Sequence, residues 1–247
     1  MNAAFSLQGR RALVTGANTG IGQAIAVGLA AAGAEVICAG RRACSDTVEA
    51  IRNAGGTATS VLVDFSEPMA GQRLFDAADI DILVNNAGTI RRADAVDYTE
   101  GDWDAVMDVN LKAVFFTTQA FAKAVLARDG LGAVVNVASV LSFQGGIRVP
   151  AYTASKHGLA GLTKLLANEW AAKGINVNAV APGYIETNNT EALRVDPGRN
   201  AAILDRIPAG RWGAPEDISG AVVFLCTPAA RYVHGAILNV DGGWLAR

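Results

Sequence analysis

The sequence predicts an α/β fold, one doubly wound and largely parallel sheet of seven strands with helices on both faces. Three observations predict it. Short apolar runs rich in Val, Ile and Ala alternate with stretches of helical period along the chain. Residues able to carry chemistry fall just after those runs, where the carboxyl ends of parallel strands gather ligands. Finally, no repeat, low-complexity tract or linker divides the 247 residues, which are 51% hydrophobic, so residues 1–247 form a single domain.

The first run, 11–15 (RALVT), reads as a buried strand leading into Gly16-Ala17-Asn18-Thr19-Gly20-Ile21-Gly22, and a helical pattern over 21–32 closes at Gly33. Strand, glycine turn and helix make a cradle for a pyrophosphate: glycines let the backbone turn and approach, and the helix start supplies N–H groups and a favourable dipole. The spacing is GxxxGxG rather than the commoner GxGxxG. The second strand, 35–39 (EVICA), precedes Gly40-Arg41-Arg42. A Rossmann-type fold specific for NAD places an acid at this strand end for the ribose hydroxyls, whereas an arginine accommodates a 2′-phosphate. Gly40 stands in the acid's place and Arg41 follows, so NADP is favoured over NAD.

A helix over 48–54 and a third strand over 59–63 lead to Asp64-Phe65, where the acid has two open roles: accepting from an adenine amino group or capping the next helix. That helix, about 68–78, is short. The fourth strand, 82–84, runs into Asn85-Asn86-Ala87-Gly88; its amides can tie neighbouring strands and its small residues let the backbone pass close to a ligand. One long helical pattern covers 102–126 with Asn110 among Val109, Leu111 and Val114. A buried amide needs partners, so Asn110 either holds a water or kinks the helix. The fifth strand, 132–137, delivers Ser139, and the loop 141–149 carries Gln144 and Arg148. A helix over 152–172 and a sixth strand over 176–180 follow, the latter ending in Ala181-Pro182-Gly183. Residues 184–200 are polar without clear periodicity, the mark of a substrate lid extending to about 210. A last helix at 215–225, a last strand at 236–240 and the tail through Trp244 to Arg247 complete the chain. Gly16, Asp64, Asn86, Ser139 and Pro182 thus converge at the strands' carboxyl ends.

Within that convergence Tyr152 and Lys156 stand four apart, on one helix face. A nearby ammonium favours the phenolate and lowers the tyrosine's pKa from about 10. With the Ser139 hydroxyl on the same oxygen, the trio suits proton transfer at a carbinol or carbonyl. The net charge of −2, without a basic cluster, argues against a nucleic acid or an anionic membrane as partner. Cys38, Cys44 and Cys226 form no CxxC pair, and His157 and His234 lie in no ligand cluster, so neither a disulfide framework nor a metal site is expected. The unpaired cysteines suit a reducing cytoplasm, and without a signal-like or membrane-spanning run a soluble protein is expected.

Thr15 to Gly22, Asn85-Asn86-Ala87-Gly88, Asn110, Ser139, Tyr152/Lys156 and Pro182-Gly183 together resemble the short-chain dehydrogenase/reductase family along nearly the whole chain. The resemblance implies that Tyr152 is the general acid/base, that Lys156 lowers its pKa and holds the nicotinamide ribose, that Ser139 positions the substrate oxygen, and that Asn110 holds a relay water. It also implies cofactor contacts from Gly16, Asn18, Thr19, Gly20, Ile21, Gly22, Asp64, Phe65, Asn86, Ala87, Gly88, Pro182, Gly183, Ile185 and Thr187, and a homotetramer packed through the two long helices and the C-terminal region. A narrower likeness in 142–150, 187–190, 207–213 and 241–247 points to the family's sugar-acid dehydrogenases of uronate breakdown, interconverting 2,5-diketo-3-deoxygluconate and 2-keto-3-deoxygluconate. For such a substrate Gln144 and Arg148 join Ser139 and Tyr152 in the site; Arg148 offers a bidentate fork to a carboxylate, and Arg91 and Arg92 are the next candidates. A 3-oxoacyl-carrier reductase, a polyol dehydrogenase and a non-catalytic cofactor-binding protein are the alternative readings.

Overall fold

The computed structural model describes residues 3–67, 69–75 and 79–247. Seven parallel strands lie in the order β3-β2-β1-β4-β5-β6-β7: β1 Arg11–Thr15, β2 Glu35–Gly40, β3 Ala58–Leu62, β4 Ile82–Asn85, β5 Gly132–Val137, β6 Ile175–Pro182 and β7 Ile237–Val240. Because successive side chains point to opposite faces, Ala12, Val14, Ile82, Val84 and Val135 enter one core layer, while Leu13, Leu83 and Val134 enter the other. Helices α1 (Gly20–Ala31), α2 (Ser45–Asn53) and α8 (Pro215–Cys226) cover the first layer with Ile25, Leu29, Ile51, Ile218 and Val222. The second is covered by α4 (Ala113–Ala127) and α5 (Pro150–Trp170), through Phe121, Val125, Leu166 and Trp170. Strand order reverses direction between β1 and β4, so a crevice opens above their carboxyl ends.

Three elements differ from the sequence expectation. The helix expected at 68–78 is, where described, a 3₁₀ turn over Ala70–Phe75; Pro68 and residues 76–78 lie outside the described residues. The long helix is broken: α3 (Glu100–Met107) gives way to a π turn over Asp108–Lys112 before α4 begins. There the Ala113 N–H reaches back to the Asp108 carbonyl, one residue further than α-helical spacing, and Asn110 lies in the widened turn. The segment read as irregular is mostly helical, with a 3₁₀ turn at Asn188–Thr190, α6 over Glu191–Val195 and α7 over Pro197–Leu204. These helices are too short to display a period, yet Asp196 caps α7 by accepting from the Arg199 N–H at 3.0 Å, and Pro197 opens it.

Candidate active site

Chain direction sets the site. Ser139 leaves β5 in extended conformation and accepts from the Leu141 N–H at 3.1 Å, which fixes its side chain at the head of a 3₁₀ turn. Pro150 starts α5 early enough that Tyr152 and Lys156 occupy its first two turns, facing the end of β5. The Ser139 hydroxyl lies beside the Tyr152 phenol and favours its ionised form. Lys156, 6% exposed, donates to the Val137 carbonyl at 2.7 Å, and its ammonium lies 5.5 Å from the Tyr152 ring centroid. Burial pushes the Tyr152 pKa up, against the Ser139 hydrogen bond and the positive charge of Arg92, and lowers Lys156 to about 8. The expected lowering of Tyr152 by its lysine therefore does not dominate in this structure. Desolvation wins: Lys156 is buried, Tyr152 is half-buried, and the ammonium is directed to a main-chain carbonyl.

Beside this trio the glycine turn is built against the end of β4. Gly16 has φ +66, and a Cβ there would lie 3.0 Å from both Ala87 Cα and Asn86 Nδ2. The Gly16 N–H donates to the Ala39 carbonyl at 2.7 Å, while Asn86 Nδ2 donates to the carbonyls of Thr15 and Gly16 at 3.0 and 3.1 Å. The Thr15 hydroxyl accepts from the Asn86 and Ala87 N–H groups. Asn85 turns inward, donating 2.9 Å bonds to Thr118 Oγ1 and Asn136 Oδ1. The two amides thus tie β4 to β1 and to β5. Thr19, at the α1 N-cap, makes no side-chain bond to the helix's first N–H groups, which leaves a positive helix end available to an anion. A Cβ on Gly20 would touch Thr187 Cγ2 at 3.3 Å, so the segment after β6 reaches over the cradle. Backbone close enough to exclude side chains, an open helix start and a shelf above it fit a dinucleotide pyrophosphate.

A family model described as enoyl-(acyl carrier protein) reductase matches residues 16–245. The chain belongs to the short-chain dehydrogenase/reductase family. It is an oxidoreductase. The 2-dehydro-3-deoxy-D-gluconate 5-dehydrogenase of Escherichia coli is 53% identical over 250 residues, covering 99% of each chain. That of Bacillus subtilis is 54% identical, over 100% of this chain and 99% of its own. A structure from Agrobacterium tumefaciens, of a protein proposed to be a 2-deoxy-D-gluconate 3-dehydrogenase and solved with bound NADP, is 73% identical over the whole of both chains with a TM-score of 0.98.

Other expected residues of this family site take more varied places. Asn110, 1% exposed, has its amide fully engaged: Oδ1 accepts from Thr89 N–H at 2.8 Å, and Nδ2 donates to the Thr89 carbonyl and to Ser155 Oγ. It clamps the chain after Gly88 to α5. Asp64 accepts from the Ser66 N–H and hydroxyl in a tight turn that lies before the Ala70–Phe75 helical turn, and these bonds hold its carboxyl below the usual range with a smaller contribution from Arg41. Arg41 is exposed just beyond β2, and Gly40, where a Cβ would come 3.4 Å from Asn18 Oδ1, leaves the ribose end uncrowded. Ile185 bridges to Gly213, and with the Glu186 N–H on the Gly213 carbonyl it closes the base of the excursion that follows β6. Pro182 ends β6, and Gly183 lies so near Asp241 that a Cβ would meet its Cα at 2.7 Å. The Phe65 side chain is buried in the core.

The arginines separate clearly. Arg148 is held in left-handed backbone, φ +65, and its Nε pairs with Asp94 at 3.0 Å in an exposed ion pair that engages one edge of its fork. Arg91 pairs with Asp102 at 3.5 Å, and Arg92 donates to the Asn189 carbonyl at 3.0 Å. Sequence reasoning missed Arg206, which donates to Gln144 Oε1 at 3.3 Å and stacks 4.0 Å from the Trp244 ring centroid. No local pattern could have revealed it, because its partners lie about sixty residues before it and at the chain's end.

Proposed function

We propose that the protein oxidises 2-keto-3-deoxygluconate to 2,5-diketo-3-deoxygluconate and catalyses the reverse reduction, using NADP in preference to NAD, in cytoplasmic uronate breakdown. The observation that carries this reading is the assembly of Ser139, Tyr152 and Lys156 beside the glycine cradle. Its support on the substrate side is near full-length identity above one half with relatives that bear that enzymatic name. The nicotinamide supplies or accepts the hydride when bound.

The chain's own residues do the rest. Gly16 to Gly22 and the α1 start hold the pyrophosphate, Arg41 meets the 2′-phosphate, Lys156 the nicotinamide ribose, and Asn86 to Gly88 with Ile185 and Thr187 close over the dinucleotide. In reduction Tyr152, kept protonated by burial, donates its proton to the carbonyl oxygen while Ser139 stabilises the charge developing there. In oxidation the phenol first releases its own proton, and the phenolate oxygen then takes the substrate's hydroxyl proton. The segment 184–210 acts as the substrate lid, a role supported by its pinned base at Ile185 and Gly213. Four copies packed through α4 and α5 form the working assembly; sedimentation as a single chain would contradict that.

Purified protein given 2-keto-3-deoxygluconate and NADP should form reduced nicotinamide and a product two hydrogens lighter, with a neutral polyol turned over far more slowly. Faster turnover of the polyol would move the enzyme to a polyol dehydrogenase.

A further inference from the structure

Three arginines that the sequence nominated for a substrate carboxylate have other work: Arg148 on Asp94, Arg91 on Asp102 and Arg92 on the Asn189 carbonyl. Arg206 has no carboxylate partner among the described residues. It follows α7, is exposed, and is nonetheless held from two sides. Its guanidinium stacks on Trp244, 4% exposed, and one N–H group is bonded to Gln144 Oε1 at 3.3 Å. Stacking fixes the plane of the fork while leaving most of its five donors outward, the geometry that suits bidentate capture of a carboxylate.

The shelf beneath it connects to the reacting groups. Trp244 shares one apolar cluster with Val140, the residue after Ser139, and with Ile203, Ile207 and Trp212. The Tyr184 ring packs 4.5 Å from Trp244, and Gln144 belongs to the loop leading from Ser139 to α5. The tail is fixed in place: Asp241 accepts from the Gly243 and Leu245 N–H groups, and Arg247 donates to the Asp205 carbonyl at 2.6 Å. One feature of the shelf is unsatisfied. The Trp244 indole N–H is buried with no protein acceptor, a state that costs free energy unless an oxygen reaches it.

We propose that Arg206, braced by Trp244 and Gln144, is the specificity residue that binds the substrate carboxylate, with the Trp244 N–H donating to an oxygen of the same substrate. The proposal rests on the sugar-acid reading and names the part of the site that selects the acid. Gln144 then acts through the arginine, as a positioning residue.

The test compares 2-keto-3-deoxygluconate with its methyl ester, which has the same skeleton without the charge, on wild-type protein and on Arg206→Lys, Arg206→Met and Arg148→Ala. Loss of a charge-assisted bidentate contact should raise KM for the acid about 10- to 100-fold in Arg206→Met. The Lys variant should fall between, since it keeps a point charge without the fork. Values for kcat, for the ester's KM and for cofactor affinity should stay within about twofold, which separates recognition from damage to the fold. Arg206 variants that retain the wild-type preference for acid over ester would overturn the assignment alone. A wild-type enzyme that shows no such preference would overturn the sugar-acid reading and the assignment with it, and that outcome is visible before any variant is made.

Discussion

Lys156 donates to the Val137 carbonyl inside the protein, and burial lowers its pKa from 10.5 to about 8. Between those two values the folded chain binds fewer protons at this residue than the unfolded chain does, so stability at this position rises with pH across the window. Below about pH 8 the folded state bears the whole penalty, at most about 3 kcal/mol. Thermal unfolding of Lys156→Met beside the wild type should therefore show the variant at its greatest relative advantage near neutrality, narrowing toward pH 10.5; a pH-independent difference would contradict this. Arg41 carries a second prediction. Exposed just after Gly40 at the carboxyl end of β2, it is the residue proposed to meet the 2′-phosphate, so Arg41→Ala should raise KM for NADP by about tenfold and leave KM for NAD within about twofold. An equal shift for both cofactors would remove Arg41 from 2′-phosphate recognition. At this scale the grouping of Ser139, Tyr152 and Lys156 was legible because the i, i+4 spacing and the strand end are local signals. The electrostatic balance was not, since burial of Tyr152 depends on segments far away in sequence.

Glycine turn and π turn illustrate what elements add. A Cβ on Gly22 would run into the Gly16 carbonyl and the Asn86 amide, groups that form the cradle, whereas a Cβ on Gly101 in α3 would meet nothing within 4 Å. Gly22→Ala should abolish measurable cofactor binding and lower Tm, while Gly101→Ala should stabilise by about 0.5–1 kcal/mol through unfolded-state entropy. Wild-type cofactor affinity in Gly22→Ala would show that the close approach is not needed. All seven strands could be read from apolar runs and the turns that follow them. The break at Asn110 could not, because one extra residue in a turn barely disturbs an apolar period, although the misplaced amide was a signal that something there was irregular. The helices α6 and α7 were missed for lack of length; the Asp196-Pro197 pair was their one local mark.

Across the whole molecule, the parallel order β3-β2-β1-β4-β5-β6-β7 places every strand's carboxyl end on one edge and gives that edge the chemistry. The opposite edge has a cleft of about 630 Å³, lined by Arg10, Arg11, Asp81 and Arg128. There Arg10 and Arg128 pair with Asp81 and Arg11 pairs with Glu35, an ionic knot that ties strand starts together. This division was predictable from topology, because ligands gather where parallel strands end. The tail at Trp244, by contrast, acquires meaning only when the chain's end folds back beside Ser139. In the proposed mechanism Tyr152 is the proton carrier of that edge, and steady-state turnover of 2-keto-3-deoxygluconate by Tyr152→Phe, with NADP affinity measured on the same sample, tests that role most directly. The expected result is a loss in kcat of about 10²- to 10⁴-fold with unchanged cofactor affinity; turnover close to wild type would contradict the mechanism.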